Sequence, residues 1–509
     1  MSEQSNSKRI AKNTLMLYFR QILIMLVSLY TVRVVLNVLG AEDYGIYNVV
    51  AGVVTMFKFL ANSMATASQR YFSFDLGKEN FGRLKKTFSI TFQIYLLLIV
   101  IVLLLAETLG LWFVNEKLVI PESRIKAANW IYQVAIISFC FTLISSPYMA
   151  SIIAHERMNV YAYVSIIEVL LQLLIVFVIK ITGHDKLMTY GTLLALVSVI
   201  NMFMYYIYAR KKFPECKFSY IRDGHYMREL ISYSSWNLFG ASIGVFKNQI
   251  GNIILNLNAG VVVNAARGIA FQVTSAVNSF VANFSTALRP QIIKSYASNN
   301  KQESLYYVYL GSKLSYSLLY LFIMPLSLEM EFVLTLWLKQ VPEYVVIFTR
   351  LALLSCLLDS LSLQIMTLAQ ATGRIKLYQA VVGSLALLNV PLYILGFKLG
   401  YGAEIMFVID IIISFITLVA RLIIIKQLTD FSISEFFVKS IMPCFLETIV
   451  SLVVVYFVYI HVNGEWLRFF VVCLTSSLVI ILSFIFMVLS KKERMQLKSF
   501  VYSKVRRNN

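Results

Sequence analysis

Two arginines on one helical face, in a neighbourhood that is almost wholly apolar, set the chemical question. Within the stretch 256–298, a helix turning about 100° per residue places Arg267, Thr274, Asn278, Ser285 and Arg289 on a stripe roughly 60° wide. Ile269, Val273, Val277 and Phe280 point elsewhere. A second stretch repeats the pattern, with Asn48, Lys58, Asn62, Thr66, Gln69 and Ser73 on a stripe about 80° wide. Arg20 and Arg33 precede it, and Lys247 is followed by Asn248, Asn252 and Asn256 at i, i+4, i+8 spacing. Lys and Arg give charge-assisted hydrogen bonds to phosphate, while Asn, Gln, Thr and Tyr suit sugar hydroxyls. A lumen lined this way attracts anions and repels organic cations.

The elements that position these residues follow from composition. Hydrophobic residues make up 59% of the 509 and charged residues 14%, with a mean hydropathy of +0.74, against about 25% charged in an average soluble domain. Apolar runs long enough to span a bilayer recur throughout, which predicts an all-α polytopic membrane protein. Segments of about ten alternating residues, the mark of a β-barrel, do not occur. Spans are predicted near 10–38, 44–74, 84–114, 123–153, 159–182 and 187–211, then near 226–257, 260–294, 302–338, 342–370, 375–400 and 402–427. Two more, near 436–462 and 465–490, bring the total to about fourteen. The expected divisions are an N-terminal lobe at 1–211, a cytoplasmic linker at 212–225, a C-terminal lobe at 226–430, and two additional helices with a basic tail at 431–509.

Charge sets the orientation. With the N-terminus in the cytoplasm, about 28 Lys and Arg fall in cytoplasmic segments and about 8 outside. Both termini are then cytoplasmic. Much of the net charge of +19 is topology, so no nucleic-acid partner is needed, and anionic lipid headgroups are the expected secondary contact.

The two six-span series are related. At a shift of 219 or 220, Asn37 meets Asn256, Gly40 meets Gly260, Thr66 meets Thr286, Arg70 meets Arg289 and Asn80 meets Asn300. At 217, Arg157 meets Arg374 and Gly183 meets Gly400. Six spans per unit keep the same orientation, so the halves are two pseudo-symmetric, parallel repeats with a cavity expected between them.

Each Lys or Arg near a bilayer centre costs roughly 2.5 to 3.5 kcal/mol and needs a partner, water or a ligand. Lys58 and Lys247 are too deep to reach the headgroups and Arg267 reaches them only in part, whereas Arg20, Arg33 and Arg289 have the alternative of snorkelling. Asn62, Thr66, Asn252, Thr274 and Asn278 supply the polar lining. Glu168, Asp359 and Asp410 are candidate ion-coupling residues, with an ion pair to Arg350 or another cation as the alternative for Asp359. His155, His184, His225 and His461 sit at helix ends or in loops, and the five cysteines lack metal spacing. No catalytic residue, metal or cofactor is expected.

The segments RIAKNTLMLYFRQILIMLVSLYTVRVVLNVLGAEDYGIYNVVAG and NAARGIAFQVTSAVNSFVANFSTALRPQIIKSYAS resemble those of the Wzx-type polysaccharide flippases, of the superfamily that includes the MATE exporters. The resemblance implies a V-shaped two-lobe fold, alternating access, and translocation of undecaprenyl-diphosphate-linked oligosaccharide across the bacterial inner membrane for O-antigen, capsule or related glycan assembly. It also implies partners in the polysaccharide polymerase and chain-length machinery, and a cationic lumen mapping loosely onto Arg20, Arg33, Lys58, Lys247 and Arg267. Two readings compete. A MATE-like drug exporter calls for a lumen dominated by carboxylates, and a membrane-embedded polymerase or ligase calls for a substantial external loop with catalytic Arg or His. The short loops near 115–127 and 339–343 contain no histidine.

Overall fold

The computed structural model describes residues 3–495 and 498, apart from 56, 119, 184 and 340; His184 and the basic tail beyond 498 therefore lie outside the described residues, as does the side chain of Arg33. The described residues form helices and turns only. Helices satisfy every backbone donor and acceptor within the segment, which a bilayer requires.

The chain divides into two compact units, Asn13–Ala241 and a second from Ser242 onward that includes the start of the chain. The first unit holds most of α1 (Glu3–Thr55), then α2 (Lys58–Gly77), α3 (Phe81–Leu105), α4 (Leu111–Glu116), α5 (Ile125–Ala154), α6 (Met158–Ile181), α7 (Lys186–Lys212) and the beginning of α8 (Gly224–Ala297). The second holds the rest of α8, then α9 (Lys301–Leu328), α10 (Met330–Leu338), α11 (Val345–Ser360), α12 (Leu363–Thr372), α13 (Ile375–Leu387), α14 (Asn389–Lys398), α15 (Ile405–Leu428), α16 (Ile433–Phe436), α17 (Met442–His461) and α18 (Glu465–Ser483).

Among the described residues nine helical stretches are long and apolar enough to cross a membrane, or eleven if each of two bent pairs counts as one. Fourteen is not reached by this measure. The two arms of α8 are long enough but add nothing to the count, because Asn248, Asn252, Asn256, Arg267 and Asn278 dilute their apolar residues. Large apolar side chains face outward on the spanning helices, among them Leu104 (62% exposed), Phe457 (61%) and Leu474 (71%). In water such surfaces would drive association; in lipid they are solvated.

The backbone repeats what the sequence repeats. Gly40 (φ 81°, ψ 167°) breaks α1 and Gly260 (φ 83°, ψ 177°) breaks α8 in the same conformation, one that only glycine adopts at low cost. Left-handed Glu79 (φ 54°) and Asn299 (φ 63°) are also 220 residues apart, and each precedes an asparagine N-cap, Asn80 accepting from the Arg83 N–H and Asn300 from the Glu303 N–H. Glu156 (φ 60°) and Gly373 (φ 78°) match at 217. The repeat lapses at one expected match, since Gly400 has a positive φ and Gly183 does not.

One further difference matters for the site. In the first repeat the helix stops at Thr55 and restarts at Lys58, whereas α8 runs on from 261 to 297 past the corresponding position. This break makes Lys58 the first residue of α2.

The segment after α7 packs on the first unit. The Phe213 ring stacks on His155 at 3.9 Å, Glu215 pairs with His155 Nε2 at 3.2 Å, and Cys216 is fully buried. The start of α8 is held there too: the Thr87 hydroxyl lies 2.5 Å from Asp75 Oδ2 and 2.7 Å from the Tyr226 hydroxyl, and Lys86 pairs with Asp223. At the opposite end, Arg124 joins Asp43, just past the Gly40 break, to Asp185, the N-cap of α7, at 2.5 Å from the latter.

A cavity and a charge network, one in each unit

The first unit contains a cavity of about 310 Å³ lined by five helices. Tyr47 comes from α1, Lys58 and Asn62 from α2, Ser138 and Thr142 from α5, Glu168 and Gln172 from α6, and Ser198 from α7. The helix break at Phe57 points the N-terminal turn of α2 at this space. No side chain caps that turn, so its dipole adds positive potential to the Lys58 ammonium. Among the described residues Lys58 makes no hydrogen bond and no ion pair, and it stands more than 4.0 Å from Glu168, the carboxylate on the same cavity. Glu168 Oε2 instead accepts from Asn201 Nδ2 at 2.7 Å.

Arg20 faces the same carboxylate from behind. It is 8% exposed, its Nη1 donates to the Ser165 hydroxyl at 3.4 Å, and its guanidinium lies over the Tyr161 ring at 4.5 Å. The structure therefore turns Arg20 into its own unit against α6 rather than out toward headgroups. Glu168 feels Lys58 and Arg20 together. The immediate set is two cations and one carboxylate.

The second unit treats charge differently. Lys247 Nζ lies 2.5 Å from Asp410 Oδ1, and the Tyr393 hydroxyl donates to the same oxygen at 2.6 Å. Arg267 is only 2% exposed. Its Nη1 donates to Asn252 Oδ1 and to the Asn248 carbonyl at 3.3 Å, and its guanidinium stacks over Phe271 at 4.6 Å. Gly251 makes room for it, since a Cβ there would stand 3.0 Å from Arg267 Nη2. Asp359 receives the Ser414 hydroxyl at 3.4 Å, and its strongest cationic neighbours are Arg421, then Lys247. Arg350, the partner named from sequence, donates instead to the Ser327 carbonyl at 2.8 Å, because its side chain leaves α11 toward α9.

The polar stripe of α8 is thus an internal seam. Thr274 is buried and bonded to the Ala270 carbonyl at 3.0 Å, Asn278 Nδ2 donates to Cys356 Sγ at 3.0 Å, and Ser285 accepts from Gln364 Nε2 at 3.0 Å. Thr66 in the first unit is likewise bonded to its own helix, at the Asn62 carbonyl. Arg289 is half-buried, about 33 Å along the helix axis from Arg267 at 1.5 Å per residue, so one phosphate cannot engage both. Sequence reasoning passes over Arg421, Tyr393 and Asn201. Arg421 is readable as a lone cation in the run LVARLIII; Tyr393 and Asn201 carry no signal until their helices are placed.

Among the described residues, helix-only architecture, twinned glycine breaks and polar faces buried in apolar helices define a polytopic membrane protein of the MATE fold. An outward-facing multidrug resistance MATE family transporter of the MOP superfamily superposes with a TM-score of 0.72 at 12% identity, covering 84% of this chain and 98% of that one. The MATE transporter ClbM in complex with Rb+ gives 0.67 at 17% identity, covering 84% and 96%, and a mutant of the Vibrio cholerae MATE transporter VcmN gives 0.67 at 14%, covering 83% and 97%. At these identities the likeness is one of fold. No curated protein matches the chain. The chain belongs to the family of polysaccharide biosynthesis proteins, whose family model matches residues 10–296, more than half its length. The family is one of polysaccharide biosynthesis proteins, and the fold is the one that solved MATE transporters share.

Proposed function

We propose that this protein is a flippase carrying undecaprenyl-diphosphate-linked oligosaccharide repeat units across the bacterial inner membrane by alternating access, for O-antigen, capsule or related polysaccharide assembly. The observation that carries this reading is Lys58: an unpaired ammonium at an uncapped helix N-terminus, facing a cavity whose other polar groups are hydroxyls, amides and one carboxylate. A diphosphate suits the positive end of that cavity, and sugar hydroxyls suit Asn62, Gln172, Ser138 and Thr142. Family membership supports a place in polysaccharide assembly, and the excess of basic residues in alternate loops supports cytoplasmic termini.

In this reading Arg289 meets the diphosphate on the cytoplasmic side and Lys58 holds it in the cavity, the lipid tail staying in the bilayer. Outward movement of each negative charge is favoured by about 2.3 kcal/mol per 100 mV of inside-negative potential. Of the three candidate coupling acids, Asp410 is held in an ion pair with Lys247, while Glu168 lines the cavity beside Lys58, so Glu168 is the acid assigned to proton or cation exchange in this reading. Downstream, the polymerase and chain-length machinery would take up the exported repeat unit.

The test is glycan accumulation in cells lacking the protein, resolved by leaflet. Intact lipid-linked repeat units trapped on the cytoplasmic face are expected. Units that reach the outer face and fail to polymerise would favour an enzyme of the pathway, and unchanged pools would favour a drug exporter.

A further inference from the structure

Apart from the cavity and the charge network, the second unit has a pocket of about 770 Å³ at one end of α9, α17 and α18. Its construction starts from a buried lysine. Lys313 lies about 18 Å into α9 from Lys301 at 1.5 Å per residue, is 3% exposed, and cannot remain charged there without a partner. The partner comes from beyond α18. A π-helical turn, Phe484–Val488, ends that helix, Leu489 is extended, and Glu493 returns to Lys313 Nζ at 2.9 Å while the Val488 carbonyl accepts from the same nitrogen at 3.2 Å.

The return is fixed locally by a capping box in the sequence SKKE. Glu493 accepts from the Ser490 N–H at 2.7 Å, and Ser490 Oγ accepts from the Glu493 N–H at 3.4 Å. With Glu493 pinned inward, its neighbours Lys492 and Arg494 line the mouth. A second π-helical turn, Phe437–Ile441, carries Lys439 to the facing wall.

Each acid on the pocket already has a cation: Asp430 pairs with Lys301 at 2.8 Å, Glu435 with Lys439 at 2.7 Å, and Glu493 with Lys313. These three lysines, with Lys492 and Arg494, make five basic residues against three acids, so the mouth is net positive. The remaining wall is apolar, through Leu305, Pro443 and the outward-facing Val438 (59% exposed) and Met487 (37%). It continues into the lipid-facing surface of Met442 and Phe445.

A basic mouth above an apolar wall that opens to lipid matches one class of ligand. We propose that this pocket is a binding site for an anionic phospholipid of the surrounding bilayer, its phosphate held by Lys492 and Arg494 and its acyl chain lying along α17. The same mouth chemistry would accept the diphosphate of a lipid-linked cargo, and the test separates the two sources. Full-length protein is reconstituted in nanodiscs of zwitterionic lipid with a minor fraction of phosphatidylglycerol or of undecaprenyl diphosphate, and the lipid retained is counted by native mass spectrometry. Each basic residue at an anionic surface contributes about a fivefold gain, so Lys492→Gln with Arg494→Gln should weaken phosphatidylglycerol retention about thirtyfold. Retention should persist in Lys492→Arg with Arg494→Lys, and in Lys211→Gln with Lys212→Gln, which removes a basic cluster elsewhere. An unchanged melting temperature in zwitterionic lipid shows that the variants are folded. Unaltered retention in the Gln pair, equal loss in the Lys211 and Lys212 variant, or preferential retention of undecaprenyl diphosphate would each overturn the proposal.

Discussion

The two repeats share a backbone and handle charge in opposite ways. In the first, a helix break leaves Lys58 unpaired on an open cavity, and the one nearby carboxylate, Glu168, is satisfied by the neutral Asn201. In the second, the helix runs through, Lys247 and Tyr393 close on Asp410, and Arg267 closes on Asn252 inside the unit. A buried ion pair contributes little to stability, yet removing one partner is costly because the other charge is stranded. An exposed cation on a cavity contributes little to folding and is available to a ligand. Under the proposed function the duplicated fold separates two roles: the Lys247–Asp410 pair holds the second unit together, and Lys58 of the first is offered to the ligand.

The largest expected effect on folding tests the closed network. Asp410→Ala should destabilise the second unit by about 1–3 kcal/mol by leaving the partly buried Lys247 without its partner, read as loss of folded protein in detergent. Adding Lys247→Met should restore much of it, since replacing both partners by apolar groups is often neutral. If the double variant is no better than the single, Lys247 has a second essential partner and the network is wider than described.

Next comes the open cavity. Lys58→Glu should lower glycan export about a hundredfold, about 2.7 kcal/mol at 1.36 kcal/mol per tenfold, while its melting temperature stays near wild type because the side chain is exposed. A folding defect with normal specific export would reverse the assignment of roles. Smaller still is the shared hinge. Nothing lies within 4 Å of a Cβ built at Gly40 or Gly260, so Gly40→Ala and Gly260→Ala each cost only the backbone strain of φ near +80°, about 1–3 kcal/mol. Equal losses in the two variants confirm that the breaks are equivalent; unequal ones show that one repeat depends on its break more.

Much of this was legible in the sequence. The Gly40 and Gly260 match, the Asn80 and Asn300 caps and the polar faces around Lys58 and Arg267 depend on residue type and spacing along one helix, and those are local properties. Partner choice is not local. Asn248, Asn252 and Asn256 form a stripe on one arm of α8 and Arg267 lies on the other, but only the turn at Gly260 determines that Arg267 meets Asn252. For the same reason the sequence offers Asp359 either Arg350, nine residues away on its own helix, or another cation, and only the fold brings Arg421 of α15 to it. The break at Phe57, which distinguishes the units, has no proline or glycine to announce it.

The smallest effect concerns the clamp of Asp43, Arg124 and Asp185 in the first unit. Partial burial pushes the Asp185 carboxyl up, but the Met188 N–H and Arg124 outweigh it and hold the group below the ordinary carboxylate range. A depressed carboxylate contributes stability above its unfolded pKa and loses it as pH falls through the folded value. The stability difference between wild type and Arg124→Met should therefore be flat from about pH 8 to about pH 5, and narrow only below about pH 4. A difference that shrinks near neutrality would mean that another group controls the clamp.

The division of roles is tested most directly by flipping in reconstituted vesicles. Labelled undecaprenyl-diphosphate oligosaccharide is placed in both leaflets, and the fraction reaching an external quencher is followed per folded molecule for wild type, Lys58→Met, and the paired Lys247→Met and Asp410→Ala variant. Flipping by wild type and by the paired variant, with none by Lys58→Met, is the predicted result. Undiminished flipping by Lys58→Met, or no flipping by wild type at all, would contradict it.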